Sequence, residues 1–244
     1  MPEGPSIVIL KELVNDLNLE GKLVVSVTGD AEIDKQRMLH EKLQSFRSWG
    51  KHFLICFKDF TIRIHFMMFG TYRINNGKKS RPRLGIGFKD NELDFYTCQV
   101  KLIDGDINKI YDWSVDIMSD EWDDKKALKT LKELPEMLVC DVLLDQDIFS
   151  GVGNIIKNEV LYRIKVHPLT RIAELPLPKL KAMIKEARIY SFEFLKYKRE
   201  NTLSRHWLAY SKKKCMRCNL PMHKKPLGRN KRISFFCSNC QVKY

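Results

Sequence analysis

The apolar positions of this chain follow two different periods, and the change from one to the other divides it. Near the N-terminus Ile7, Leu10, Val14 and Leu17 recur at the spacing of one helix face, with Pro5 suited to a first helical turn. Residues 22–27 then read as a strand, and from Gln44 the pattern is persistently extended. Residues 53–57, 61–65, 84–88 and 93–102 are short runs of strand character, with turns expected at 58–59 and 90–91. Consecutive short strands joined by tight turns predict an antiparallel sandwich or flattened barrel.

Residues 112–124 are acidic and irregular, which predicts a linker. Beyond it the period becomes helical. Ala127, Leu128, Leu131 and Leu134 begin one helix, a second is expected over about 136–146, and a third over 155–165. A last long helix, with Leu180, Met183, Ile184 and Ala187 facing a core, runs towards Lys198. The predicted fold class is α+β: an N-terminal helix and antiparallel β-sandwich lobe, then a helical lobe.

At 244 residues and 44% hydrophobic content the chain holds one large or two modest domains with a proper core. No run approaches the ~18 apolar residues of a membrane span, and no basic-then-apolar leader is present, so a soluble, cytoplasmic protein without membrane association is expected. The formal charge of +13 is concentrated: residues 196–244 carry 14 Lys or Arg against the single acid Glu200, while the rest balances to zero. A single-signed surface of this kind is the footprint of a polyanion, usually nucleic acid.

Of seven cysteines, Cys56, Cys98 and Cys140 stand alone, and the others form Cys215-x2-Cys218-x18-Cys237-x2-Cys240. Two such pairs satisfy one tetrahedral zinc ion, in a reducing compartment. Four thiolates leave no open position to activate water, so the ion is structural and a zinc hydrolase is excluded. It stabilises a segment otherwise too small and too charged to fold.

The candidate chemistry lies at the other end, in Met1-Pro2-Glu3-Gly4-Pro5. Removal of Met1 would leave Pro2 as a secondary amine, and an α-amino group, with a pKa near ~7.7–8.0, is substantially unprotonated at neutral pH. Its attack on a sugar or carbonyl carbon gives an iminium, with Glu3 beside it as proton donor and acceptor. A plain helix start explains the same residues when they are taken alone. Lys51 follows Gly50 at the beginning of a strand, a position that projects an ammonium, although a lone lysine is more often solvated surface. In His65-Phe66-Met67-Met68-Phe69-Gly70 a strand ends in large flexible apolar side chains. Core packing is the plainer reading there, and an apolar wedge that fills the gap left by an extruded base is the alternative. Gly151-Val152-Gly153-Asn154 precedes a helix, with Asn154 as a natural N-cap and the glycines allowing close approach to a phosphate.

In this order Pro-Glu-Gly-Pro, Gly-Lys, Leu-Leu-Asp-Gln, Gly-x-Gly-Asn and a terminal four-cysteine finger ending in Cys-x2-Cys-Gln resemble the formamidopyrimidine-DNA glycosylase and endonuclease VIII family of base-excision repair enzymes. The resemblance implies a catalytic β-sandwich domain over 1–115, a helix-two-turn-helix DNA-binding domain over 116–210 and a zinc finger over 211–244, with double-stranded DNA carrying oxidised bases or abasic sites as partner of a monomer. Cellular placement would be nucleoid-associated in a bacterium. Carried over residue by residue, Pro2 is the Schiff-base nucleophile and Glu3 its acid/base partner. Lys51 becomes a phosphate ligand and helper in elimination, and Asn154 and Arg232 a phosphate clamp. Met67, Met68 and Phe69 become the void-filling residues and His65 joins the DNA contacts. Two departures stand out. Ser6 occupies a position where the family usually has glutamate, and Tyr96-Thr97-Cys98-Gln99-Val100 lacks the arginine-phenylalanine pair of purine-specific members. The second points to the endonuclease VIII branch and oxidised pyrimidines; the first leaves open a damaged-DNA or abasic-site binder of the same fold with weak or no base excision.

Overall fold

Helix α1 (Gly4–Asn15) begins with Pro5 in its first turn, where a missing N–H costs nothing, and buries Ile7, Leu10 and Val14 along one face. Each such burial contributes about 1.5–3 kcal/mol. The computed structural model describes residues 2–244; Met1, whose removal is expected from the sequence, lies outside them. Two units are distinguished, Met1–Asp112 and Trp113–Tyr244.

In the first unit, β1 (Ser26–Thr28), β2 (Ser45–Trp49), β3 (His52–Cys56), β4 (Phe60–Ile74), β5 (Leu84–Gly87) and β6 (Glu92–Asp104) form one antiparallel sheet of order β1-β5-β6-β4-β3-β2. The long strands β4 and β6 make its spine. The start of β4 pairs with β3, and the start of β6 pairs with β5. Phe53, Ile55, Ile62 and Ile64 from one half share a single core with Leu84, Ile86, Leu93 and Phe95 from the other, closed by α1. Two expectations need correction. The run 22–27 supplies only the beginning of β1, with Leu23 held by a lone bridge to Lys42. Nor does the strand through His65 end there: β4 continues to Ile74. A short helix α2 (Ile107–Ile110) closes the unit.

The expected linker is not one. A 3-10 turn over Trp113–Val115 buries Trp113 and Val115, Ile117 is buried after it, and Val115 and Ile117 hydrogen-bond through their backbones to Ser150. The helices of the second unit are α3 (Asp124–Lys132), α4 (Val139–Val142), α5 (Asn154–Arg163) and α6 (Leu177–Arg199). Asp123 caps α3 by accepting from the N–H groups of Lys125 and Lys126. The helix expected over 136–146 shrinks to the single turn of α4, after which Asp145 begins a turn that returns the chain to Ser150. A large apolar core spans these helices, with Phe149, Val152, Ile156, Val160, Met183 and Tyr190 at its centre. The finger is a hairpin, β7 (His223–Leu227) and β8 (Arg232–Phe236), and β8 packs on α5.

Candidate active site and four-cysteine hairpin

Pro2 and Glu3 immediately precede α1. Glu3 occupies its N-cap position, makes no side-chain cap to the helix, and is only 2% exposed. The partial positive charge of the helix start favours an ionised carboxylate at this point. Ser6, in the first turn, is half-buried, and its N–H donates to the Glu3 carbonyl at 2.8 Å. Helix α1 packs on β2 and β3, whose two-residue connection carries Lys51.

Lys51 and His65 come together. His65 pairs with His52 across β3 and β4, their ring centroids 5.1 Å apart, and both imidazoles feel the Lys51 charge. Burial first, then Arg63, His65 and Lys51, holds His52 down to about 3. Burial, then Lys51 and Arg63, lowers His65 as well, so neither ring carries charge at neutral pH. Nδ1 of His52 lies 3.3 Å from the Tyr111 hydroxyl, which fixes the ring.

The three apolar candidates are not core. Met67, Met68 and Phe69 are 44%, 58% and 79% exposed. They sit where the β4–β6 register breaks: Phe66 faces Cys98 and Thr71 faces Tyr96, so residues 67–70 stand opposite Thr97 alone. This blister projects them out of the sheet. A tie that sequence reasoning missed braces it. Nζ of Lys78 donates to Thr71 Oγ1 at 2.6 Å and lies 4.6 Å from the centre of the Tyr96 ring. The Lys78 backbone N–H donates to the Tyr96 hydroxyl, which donates to Oδ2 of buried Asp94. Burial pushes the Asp94 carboxyl up, against the opposing Tyr96 hydrogen bond.

In the second unit the structure brings Asn154 to the strand that Arg232 begins. Asn154 is not the N-cap: Gly153 is, and Asn154 is the first helical residue. Its side chain turns instead to the hairpin, Nδ2 donating to the Ile233 carbonyl at 3.0 Å, while Oδ1 is buried without a hydrogen bond. Of the two glycines only Gly151 adopts a positive φ, 97°; its N–H donates to Gln146, whose amide donates to the carbonyls of Leu144 and Val152. The Leu-Leu-Asp-Gln run therefore shapes the turn that starts α5.

More of the hairpin's seat was invisible in sequence. Lys157, 1% exposed, donates to Ser234 Oγ at 2.9 Å, and Oδ1 of Asn158 accepts from the Phe235 N–H at 2.7 Å. At the tip, the Arg229 N–H donates to both Asp141 oxygens at 3.0 Å, and a Cβ at Gly228 would collide with that carboxylate. Fully buried Glu159 accepts from the N–H groups of Leu208, Ala209 and Tyr210, fixing the segment that leads into the finger. Lys157 and Asn158 of α5 thus form the seat of the hairpin.

Cys215, Cys218, Cys237 and Cys240 place their four Sγ atoms within 4.8 Å of one another. The pairs 215/240 and 218/237 are 3.8 and 3.5 Å apart, close to the roughly 3.8 Å edge of a tetrahedron of thiolates around a metal with ~2.3 Å bonds. The donor set fits a metal ion with a closed, all-sulfur shell. Gln241 braces it, accepting from the Cys237 N–H and donating to the Val166 carbonyl.

A β unit headed by a buried carboxylate and a helical unit bearing a four-thiol hairpin place the chain among two-part proteins of a defined class. Residues 1–102 match the family model of the formamidopyrimidine-DNA glycosylase N-terminal domain, and residues 114–190 that of the formamidopyrimidine-DNA glycosylase H2TH domain. The chain belongs to the formamidopyrimidine-DNA glycosylase family, with an endonuclease VIII-like relation. It is 30% identical over 201 residues to Endonuclease 8-like 3 of Mus musculus, a match covering 79% of this chain and 33% of that protein, so the chain spans about a third of its relative's length. In fold it is similar to a viral DNA glycosylase, with TM-score 0.86, 22% identity and coverage of 98% and 100% of the two chains. It is likewise similar to Lactococcus lactis formamidopyrimidine-DNA glycosylase bound non-covalently to DNA containing an AP site, with TM-score 0.84, 20% identity and coverage of 99% and 100%.

Proposed function

We propose that the chain is a bifunctional DNA glycosylase and abasic-site lyase that removes oxidised bases, pyrimidines in particular, from double-stranded DNA. The placement of Glu3 carries this reading: a carboxylate 2% exposed, beside Pro2 and at the positive end of a helix.

In the proposed reaction, Met1 is removed and the free Pro2 nitrogen attacks C1′ of an extruded deoxyribose, expelling the base. The Glu3 carboxylate takes the proton that the Pro2 nitrogen sheds and passes it to the ring oxygen as the sugar opens, the departing base takes a proton from solvent, and the product is an iminium. That electron sink acidifies the C2′ proton, and its loss breaks the C3′–O bond on the 3′ side of the lesion. Lys51, in the patch with His65, holds a phosphate near the reacting sugar and assists elimination. Arg232, at the start of β8, and Asn154, at the start of α5, grip the backbone, and Met67, Met68 and Phe69 fill the vacated stack. The four cysteines hold one zinc ion, which keeps the hairpin folded. The family membership and the AP-site DNA in the Lactococcus protein support the same assignment.

Borohydride reduction tests it, with duplexes carrying thymine glycol or an abasic site. A covalent adduct at Pro2 is expected with both, and none from Pro2→Gly. Trapping with the abasic duplex alone would leave a lyase without base excision, and trapping with neither would leave a DNA-binding protein of the same fold. Mass spectrometry showing Met1 retained on the purified protein would remove the nucleophile.

A further inference from the structure

The finger strand β8 packs on α5, α5 on α6, and α6 on α3, which sets the groove between α3 and α6 apart from Asn154 and Arg232. That groove has a volume of about 1160 Å³. It exceeds the ~300–1,000 Å³ typical of small-molecule sites. Its floor is Trp122, Leu128 and Ile184, and its wall is Ile189 and Phe192, which are 39% and 41% exposed.

The rim is basic. Lys125, Lys181, Lys185 and Lys196 are all exposed there. Of the acids on the rim, Glu193 is already paired with Arg163 at 2.8 Å, which leaves Asp124 facing the lysines. Arg188 is turned inward, donating to the carbonyls of Ile117 and Ser119 and lying 5.2 Å from the centre of the Phe192 ring, so it braces the wall. Along α6, Lys181 and Lys185 are one turn apart, and the rim from Lys181 to Lys196 extends about 22 Å at ~1.5 Å per residue.

We propose that this groove docks an acidic amphipathic helix of a partner protein. Its apolar face would lie on Trp122, Ile189 and Phe192, with flanking carboxylates meeting the rim lysines. Charge alone would attract a nucleic-acid backbone equally well. The apolar wall decides between them, because a phosphodiester backbone offers nothing to bury against Ile189 and Phe192.

The test uses the full chain and a fluorescein-labelled helical peptide of four to five turns, with Leu and Phe at i, i+3, i+4 and i+7 and Glu on the flanks. Its control has Lys for every Glu. Micromolar binding that weakens with salt is expected for the acidic peptide, with the control at least ~10-fold weaker. The Lys181→Glu/Lys185→Glu and Ile189→Ser/Phe192→Ser double variants should each raise Kd about 10-fold or more, with circular dichroism unchanged because all four side chains are exposed. Hydrogen-exchange protection by the peptide should fall on α3 and α6. Equal binding of both peptides, no binding, an unchanged Kd in either variant, or protection on the hairpin would overturn the proposal. So would displacement of the peptide by duplex DNA, or a self-association of the chain that Ile189→Ser/Phe192→Ser abolishes.

Discussion

The blister of β4 and the hairpin of β7 and β8 are both projections, and they are secured in opposite ways. The blister grows from a sheet whose apolar core fixes the strands on either side, so one lysine tie to Thr71 suffices to brace it. The hairpin has almost no core of its own beyond Phe235 and Phe236. It is held by Asp141, Asn154, Lys157 and Asn158 from below and by four thiols at its base. A projection from a large core inherits its rigidity, whereas a small basic one is anchored by directional polar bonds and by four thiols placed to hold a metal ion.

The difference predicts unequal sensitivities. Removing the metal with a chelator, or changing Cys237 to Ser, should cost the finger on the order of 10 kcal/mol of folding free energy. Hydrogen exchange should then show residues 215–241 unprotected while β3 and β4 keep their protection; equal loss in both would erase the contrast. Next, Glu159→Gln puts an NH2 against backbone donors that now meet a carboxylate and should destabilise the second unit by about 2–4 kcal/mol, read from urea midpoints.

A pH effect should be strongest in the first unit, although burial lowers His167 in the second unit as well. His52 has a folded pKa near 3 against 6.5 unfolded, so its neutral form contributes stability that is fully present above pH 6.5 and is lost as pH falls towards 3. Protection of β3 and β4 should fall between pH 6.5 and 4.5, and His52→Phe should flatten that slope. The smallest effect on stability is expected for Met68→Ala and Phe69→Ser, within about 0.5 kcal/mol, since both side chains are exposed. If they act as the wedge, base excision should nonetheless fall at least ~10-fold, while cleavage of a preformed abasic site falls less.

Much of this was legible beforehand where period and chemistry agreed. The spacing of Ile7, Leu10 and Val14 gave α1, and the cysteine pairs gave the sulfur cluster. The strand series was readable because its core residues alternate. Misreadings arose where a polar signal was taken at face value. Acidic residues around Trp113, Val115 and Ile117 disguised a buried helical turn and bridge as a linker. The roles of Lys157, Asn158 and Glu159 had no local signal, because their partners lie 49 to 77 positions away. Asn154 had the identity of a cap, but a carbonyl on β8 claimed its amide. Nor could composition reveal that β4 outlasts His65, since a register break has no hydrophobic period of its own.

Four residues on β4 facing one on β6 also leave the reach of Met67, Met68 and Phe69 uncoupled from the rest of the sheet. Because side chains alternate in twos, inserting or excising a pair of residues there would change how far the apolar finger extends without turning over any later position of the strand. The length of the tip is therefore free to be tuned, by selection or by hand, while the fold beneath stays as it is.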